Sequence, residues 1–160
     1  MTTLSALAPA GVLIGIDFGM ARIGVAACDA GRILAFPIGV VDAGGDWLHA
    51  LEELIGQRQP VALIVGYPLT LGGQAGLAAG RIKEMAAALA RVCDRPIWLV
   101  DERLSTVEAQ RRLHEAGRKA KNSRPIIDSQ AAVGILEVVL QGLSRGQFHG
   151  QRLELEAVND

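Results

Sequence analysis

The stretch from Val12 to Phe36, VLIGIDFGMARIGVAACDAGRILAF, decides the fold. It opens on a continuous apolar run, Val12 to Ile16, that stops at Asp17. A strand with one exposed face would alternate apolar and polar residues, so this run reads as a strand buried on both faces. Two further runs, Ile23 to Cys28 and Ile33 to Phe36, are separated by Asp29-Ala30-Gly31-Arg32, whose Asp and Gly supply turn chemistry. The stretch therefore predicts three antiparallel strands joined by tight turns.

Further along, Val61 to Val65 and Ile97 to Val100 are two more uninterrupted apolar runs, ending at Gly66-Tyr67-Pro68 and at Asp101-Glu102. Helical spacing predicts one helix over 46–58, with Trp47, Leu48, Leu51, Leu54 and Ile55 on one face. A second spans 74–92, carrying Leu77, Ile82, Met85, Leu89 and Val92. Each of the two precedes a buried strand, as a crossover connection does. Ser105 and Glu108 form a capping box that starts a third helix. A fourth covers 127–140 with Ala131, Ala132, Ile135, Leu136 and Val139 inward. The order β-β-β-α-β-α-β-α-α predicts an α/β fold: a mixed sheet, antiparallel in its first three strands and parallel afterwards, flanked by helices. That is the layout of the ribonuclease H-like fold.

A chain of 160 residues with 50% apolar and 21% charged residues suits one domain, excluding disorder and a disulfide scaffold. Residues 1–142 are expected to form it, with a core from about 12 to 142, and 143–160 to be a polar tail that loses periodicity and frays. Cys28 and Cys93 are too far apart in sequence for a metal knuckle or redox pair and read as buried thiols of a reducing compartment. The first 16 residues carry no charge, but no Lys or Arg precedes the apolar stretch and Pro9 and Gly11 interrupt it. A secretory signal is therefore disfavoured and a cytoplasmic protein expected.

In open α/β sheets, ligands bind beyond the carboxyl ends of parallel strands, so Asp17, Gly66 and the Asp101-Glu102 pair are expected to converge on one crevice. Clustered carboxylates repel one another unless a cation joins them. Hard oxygen ligands suit magnesium or manganese, and two such ions can stabilise both the attacking and the leaving oxygen in phosphodiester hydrolysis. The competing reading is that acids at strand ends cap the next element or face water. Asp128 strengthens the cluster, because it shares a helical face with Ala131, Ala132 and Ile135 and so points along the side that packs on the sheet. Its own alternative is a helix N-cap. The glycines after Gly66-Tyr67-Pro68-Leu69, at Gly72, Gly73 and Gly76, could let backbone approach a phosphate, though turn formation explains them as well. Asp17-Phe18-Gly19 spells a kinase metal tripeptide by coincidence, at a first strand with no upstream lobe.

The net charge of −1 gives no global reason to bind a polyanion. Local charge does: from Arg103 to Arg124 seven basic residues face two acidic ones, a balance of +5 that leaves −6 for the rest. Such a segment beside an acidic metal site would hold a nucleic-acid backbone, whereas alone it is equally an ordinary solvated helix face. At 4% aromatic residues, base-stacking platforms are scarce.

Ile16-Asp-Phe-Gly-Met-Ala-Arg-Ile-Gly-Val-Ala26, Gly66-Tyr-Pro-Leu69, Asp101-Glu-Arg-Leu-Ser-Thr106 and Ile127-Asp-Ser-Gln-Ala-Ala132 together resemble the YqgF family, also called RuvX or Holliday junction resolvase-like proteins. Its members are viewed as nucleases that process the 5′ end of pre-16S ribosomal RNA. The resemblance covers about 12–142 and implies a ribonuclease H-like fold related to the RuvC resolvases, with magnesium-dependent cleavage in the cytoplasm. It places the family's catalytic acids on Asp17, on the Asp101-Glu102 pair and on Asp128. Asp17, Glu102 and Asp128 are the first choice of metal ligands, Glu102 for its longer reach, while Asp101 is the alternative that could instead orient Arg103. Arg22, Gly66, Arg103, Arg111, Arg112, Lys119 and Lys121 are the candidate substrate contacts. Ala21 departs from the basic residue usual in the family. RNA or branched DNA as substrate, and monomer or homodimer as assembly, stay open. Two rivals stand beside the nuclease: an ATPase, since the same Asp-x-Gly hairpin opens the actin-like ATPases, whose duplicated domains this chain is too short to hold, and a nucleic-acid-binding factor without turnover.

Overall fold

The computed structural model describes residues 7–68, 76–101 and 124–154. Within them the strands are β1 (Leu13–Phe18), β2 (Arg22–Cys28), β3 (Ala35–Asp42), β4 (Ala62–Tyr67), β5 (Ile97–Asp101) and β6 (Gln151–Arg152), and the helices α1 (Trp47–Gly56), α2 (Gly76–Val92) and α3 (Arg124–Ser144). The third helix expected from Ser105 lies outside the described residues. The six strands form one sheet in the order β3-β2-β1-β4-β5-β6. β1 pairs antiparallel with β2 and β2 with β3, whereas β1 to β4 and β4 to β5 are parallel. The expected mixed sheet is thus present, and the ribonuclease H-like order with it.

The pleat divides the sheet into two faces. Ile14, Ile16, Leu63, Val65, Ile97 and Leu99 pack toward Leu51 and Ile55 of α1 and Ile82, Met85 and Leu89 of α2. Leu13, Ile64, Trp98 and Val100 pack toward Ala132, Ile135, Leu136 and Val139 of α3. Neither face of the central strands is wet, which is why these strands read as apolar runs without alternation. The Leu13 N–H donates to the Sγ of buried Cys28 (3.2 Å), whose thiol burial pushes to a higher pKa. Cys93, expected to be buried, is only half-buried.

Four further sequence expectations need correction. Ile33 and Leu34 do not open β3: their N–H groups donate to Asp29 Oδ1 at 2.9 and 2.7 Å, which takes both out of the ladder and leaves them exposed at the turn. The strand runs on to Asp42 instead, and Pro37 is tolerated because β3 is an edge strand with a register shift beside that proline. Leu77 and Val92 of α2 are exposed; its buried side is Ala79, Ile82, Met85, Ala86 and Leu89, a stripe rotated from the one the larger side chains suggest. Ala131, expected inward on α3, is only half-buried.

The fourth correction concerns the chain's end. Helix α3 continues to Ser144, and Gly146, with φ +71, turns the chain so that Phe148 stacks edge-on against Trp98 at 5.4 Å. Gln151 and Arg152 then pair antiparallel with Leu99 and Trp98. The segment expected to fray is therefore anchored at least to Arg152, by one aromatic and a strand too short to carry a period.

Candidate active site

The first strand places Asp17 by simple alternation. Leu13 faces α3, and so does Gly15, where an added Cβ would meet Leu136 Cγ at 2.7 Å and the Ala132 carbonyl at 2.9 Å. Two residues on, Asp17 emerges on that same face near the carboxyl end of β1, half-buried and with interacting neighbours. Directly across β2 stands Gly24. On the other side the last paired position is Ile16 with Val65, and one step beyond it lie Asp17 and Gly66. The carboxylate is thus flanked on both neighbouring strands by residues that put no side chain on its face. Arg22 begins β2 two residues before Gly24, on the same face, and is also half-buried.

Asp101 goes the other way. It pairs with Tyr67 at the end of β5 and, by alternation with Ile97 and Leu99, belongs to the face covered by α1 and α2. Asp17 and Asp101 therefore share a sheet end but not a sheet face. Gly66 pairs with Val100 and lies on the α3 face with Asp17.

Helix α3 carries Asp128 in its second turn. It begins at Arg124, with Pro125 in the first turn, where a missing N–H breaks no helical hydrogen bond. Asp128 is then an interior residue, which excludes the N-cap alternative; its side chain lies outside the described residues. The next residue, Ser129, is a buried polar side chain of this helix, 2% exposed. Glu102, Arg103, Arg111, Arg112, Lys119 and Lys121 all fall outside the described residues, as do Gly72 and Gly73. Among the described residues no group of three His, Cys, Asp or Glu stands together as a metal site. The Asp17 carboxylate is a hard oxygen donor with glycine on either side, which suits a small divalent cation and its water shell.

Two features escaped the sequence reading. Gly24 was read only as part of an apolar run and of a longer motif, although its pairing with Asp17 is what clears the space beside the acid. Arg81 of α2 donates from Nη2 to the Gly19 carbonyl (3.0 Å) and from both terminal nitrogens to the neighbouring carbonyls of the β1–β2 turn. Its only sequence signal was a cation next to Ile82, on the edge of a buried stripe. Gly19 itself has no alternative: a Cβ there would collide with the Arg22 carbonyl, a backbone atom that cannot swing aside. Gly19→Ala is expected to cost about 1–3 kcal/mol of stability, read as a lowered midpoint in urea.

A mixed sheet of this order with helices on both faces has the layout of the ribonuclease H-like fold. Solved structures agree on the fold. Thermus thermophilus RuvC in complex with a Holliday junction superposes with a TM-score of 0.59 at 15% identity, covering 89% of this chain and 99% of that one. A fowlpox virus resolvase bound to Holliday junction DNA gives 0.54 at 8% identity over 82% and 98%. The sequence model of the RuvX family, described as Holliday junction resolvase, matches residues 11–142, and the chain belongs to that family. Relatives include a Cutibacterium acnes protein 44% identical over 138 residues, 86% of each chain. A Mycobacterium ulcerans protein is 47% identical over 130 residues, 79% of this chain and 76% of the relative. Both bear the name "Putative pre-16S rRNA nuclease".

Proposed function

We propose that the protein is a divalent-cation-dependent nuclease that hydrolyses phosphodiester bonds in precursor 16S rRNA, maturing its 5′ end in the cytoplasm. The observation that carries the reading is Asp17 on the α3 face of the sheet, at the carboxyl end of β1, between Gly24 and Gly66. Asp17, Glu102 and Asp128 are the proposed ligands. The contact of Gly15 with Ala132 and Leu136 supports Asp128, since it pins α3 to β1 two residues before Asp17 and one helical turn after Asp128. The pleat counts against Asp101, which alternates onto the face opposite Asp17. Magnesium or manganese, as two ions, would supply positive charge against the attacking and leaving oxygens of the scissile phosphate.

The chain's own contribution is placement. Gly66 and Gly24 leave room for a phosphate beside the acid, and Arg22, on the same face, offers a planar fork suited to phosphate oxygens. Arg103, Arg111, Arg112, Lys119 and Lys121 would add affinity blind to sequence along the rest of the backbone. Among the described residues no helix is long and apolar enough to cross a membrane.

The names of the relatives favour RNA. A second reading, cleavage of branched DNA, is favoured by the family's description as Holliday junction resolvase. Incubating the protein and magnesium with a labelled precursor-rRNA fragment and with a four-way DNA junction separates them. Discrete cleavage of the RNA near the mature 5′ end, with the junction intact, is the expected result. Symmetric nicking of the junction with intact RNA would replace the first reading by the second, and binding of either without product would favour a non-catalytic factor.

A further inference from the structure

Helix α2 lies behind the sheet, on the face opposite α3, yet one of its side chains reaches the turn that follows Asp17. Arg81 donates from Nη1 to the Phe18 carbonyl (3.4 Å) and from Nη2 to those of Gly19 (3.0 Å) and Met20 (3.4 Å). These are the three residues immediately after the acid, and their successive carbonyls converge on one guanidinium. The Gly19 N–H closes the same turn by donating to the Asp17 carbonyl at 3.0 Å. Phe18 is held from behind as well, packed edge-on against Trp47 at 6.0 Å.

The neighbours of Asp17 explain why this matters to the acid. A carboxylate between two larger side chains is steered by packing, but here both flanking strands offer glycine, at Gly24 and at Gly66. The backbone on which Asp17 stands runs directly into the turn that Arg81 holds, so the placement of that turn bears on where the carboxylate begins.

We propose that Arg81 is a positioning residue for the metal-binding carboxylate of Asp17, acting through the three carbonyls of the β1–β2 turn. It approaches from the α2 side and grips main chain, so its effect on the reaction passes through Asp17. Arginine is required in this role because its planar fork can serve several carbonyls at fixed angles, whereas a lysine ammonium is a point charge on a flexible stem. The inference rests on the reading of Asp17 as a metal ligand. Groups that orient a ligand without touching the metal commonly control metal affinity by 10–100-fold.

The test uses the full-length protein, Arg81→Gln, Arg81→Lys and Asp17→Asn. Manganese binding is measured by calorimetry, exchange of the Gly19 amide by NMR, and cleavage as a function of magnesium. Both Arg81 variants are expected to bind manganese about tenfold more weakly, the lower end of that range, and to exchange the Gly19 amide faster. Their cleavage should need more magnesium for half-maximal rate while kcat at saturating magnesium stays close to the parent's. Arg81→Lys retains the charge and most of the stem, so it keeps the comparison valid if Arg81→Gln folds poorly. Parent-like manganese affinity in both Arg81 variants, beside a weakened Asp17→Asn, would overturn the inference alone and make Arg81 a staple of the fold. Parent-like affinity in Asp17→Asn would overturn the site assignment and this inference together.

Discussion

Asp17→Asn is expected to abolish metal-dependent cleavage, with a loss on the order of 1,000-fold or more, while the metal-free protein melts at the parent temperature or slightly above it. The magnitude follows from a cation's stabilisation of transition-state charge, worth several kcal/mol, at about 1.4 kcal/mol for each tenfold in rate. The unchanged stability follows from the position. Asp17 is half-buried at the end of a strand whose buried side chains are Leu13, Ile14, Ile16 and Phe18, and Asn preserves its volume while removing a charge from the site proposed to gather acids. Melting curves in chelator and product formation in magnesium, taken on one preparation, check both halves. Cleavage at the parent rate would remove Asp17 from the site, and an unfolded variant would make it structural.

Gly15→Val is expected to have the second largest effect, by a different route. Its Cβ position lies 2.7 Å from Leu136 Cγ and 2.9 Å from the Ala132 carbonyl, closer than carbon atoms pack. Leu136 could turn, but the carbonyl belongs to the α3 backbone, so the helix must lift from β1. Overpacking of this kind costs about 1–3 kcal/mol or more, equivalent to a fall in Tm of roughly 2–12 °C for a chain of this size. Cleavage should fall further than stability does, because the same helix carries Asp128. Thermal unfolding and cleavage well below the new midpoint separate the two effects. A folded Gly15→Val protein with parent activity would show that the spacing of α3 from β1 does not set the site.

Much of the architecture was legible because the central strands are buried on both faces. Their apolar runs gave the first, second, fourth and fifth strands to within about two residues, and the acids at their ends followed. The misreadings arose where backbone groups found partners that hydropathy does not report. Asp29 captured the amides of Ile33 and Leu34 and delayed β3. Pro125 lay inside the first turn of α3 rather than before it, which moved Asp128 from a cap candidate to the helix interior. In α2 the small residues Ala79 and Ala86 lined the sheet while the bulkier Leu77 faced out, so side-chain size misdirected the face.

The site was legible as a set of acids but not as a geometry. Sequence made Glu102 the first choice of the pair on reach alone, with Asp101 the alternative. Register adds the position of Asp101, which pairs with Tyr67 and alternates onto the face away from Asp17. Neither Gly24, although it lies within the Ile16–Ala26 motif, nor Arg81 was singled out by sequence. The first matters only because it is paired opposite Asp17, and the second only because its guanidinium crosses 62 positions of sequence to reach Gly19.

The central claim, that carboxylates at the end of β1 and around it hold a cation for phosphodiester hydrolysis, is tested most directly by changing the cation. Magnesium requires a near-octahedral shell at about 2.1 Å, whereas calcium accepts six to eight looser oxygens. Calcium should therefore occupy the same acids and support nucleic-acid binding while failing to organise the displacement, and manganese should restore turnover. Binding and product are to be measured on one labelled precursor-rRNA fragment in magnesium, manganese, calcium and excess chelator. The account predicts cleavage in the first two only, with binding retained in calcium. Equal cleavage in calcium, or undiminished cleavage in chelator, would contradict it.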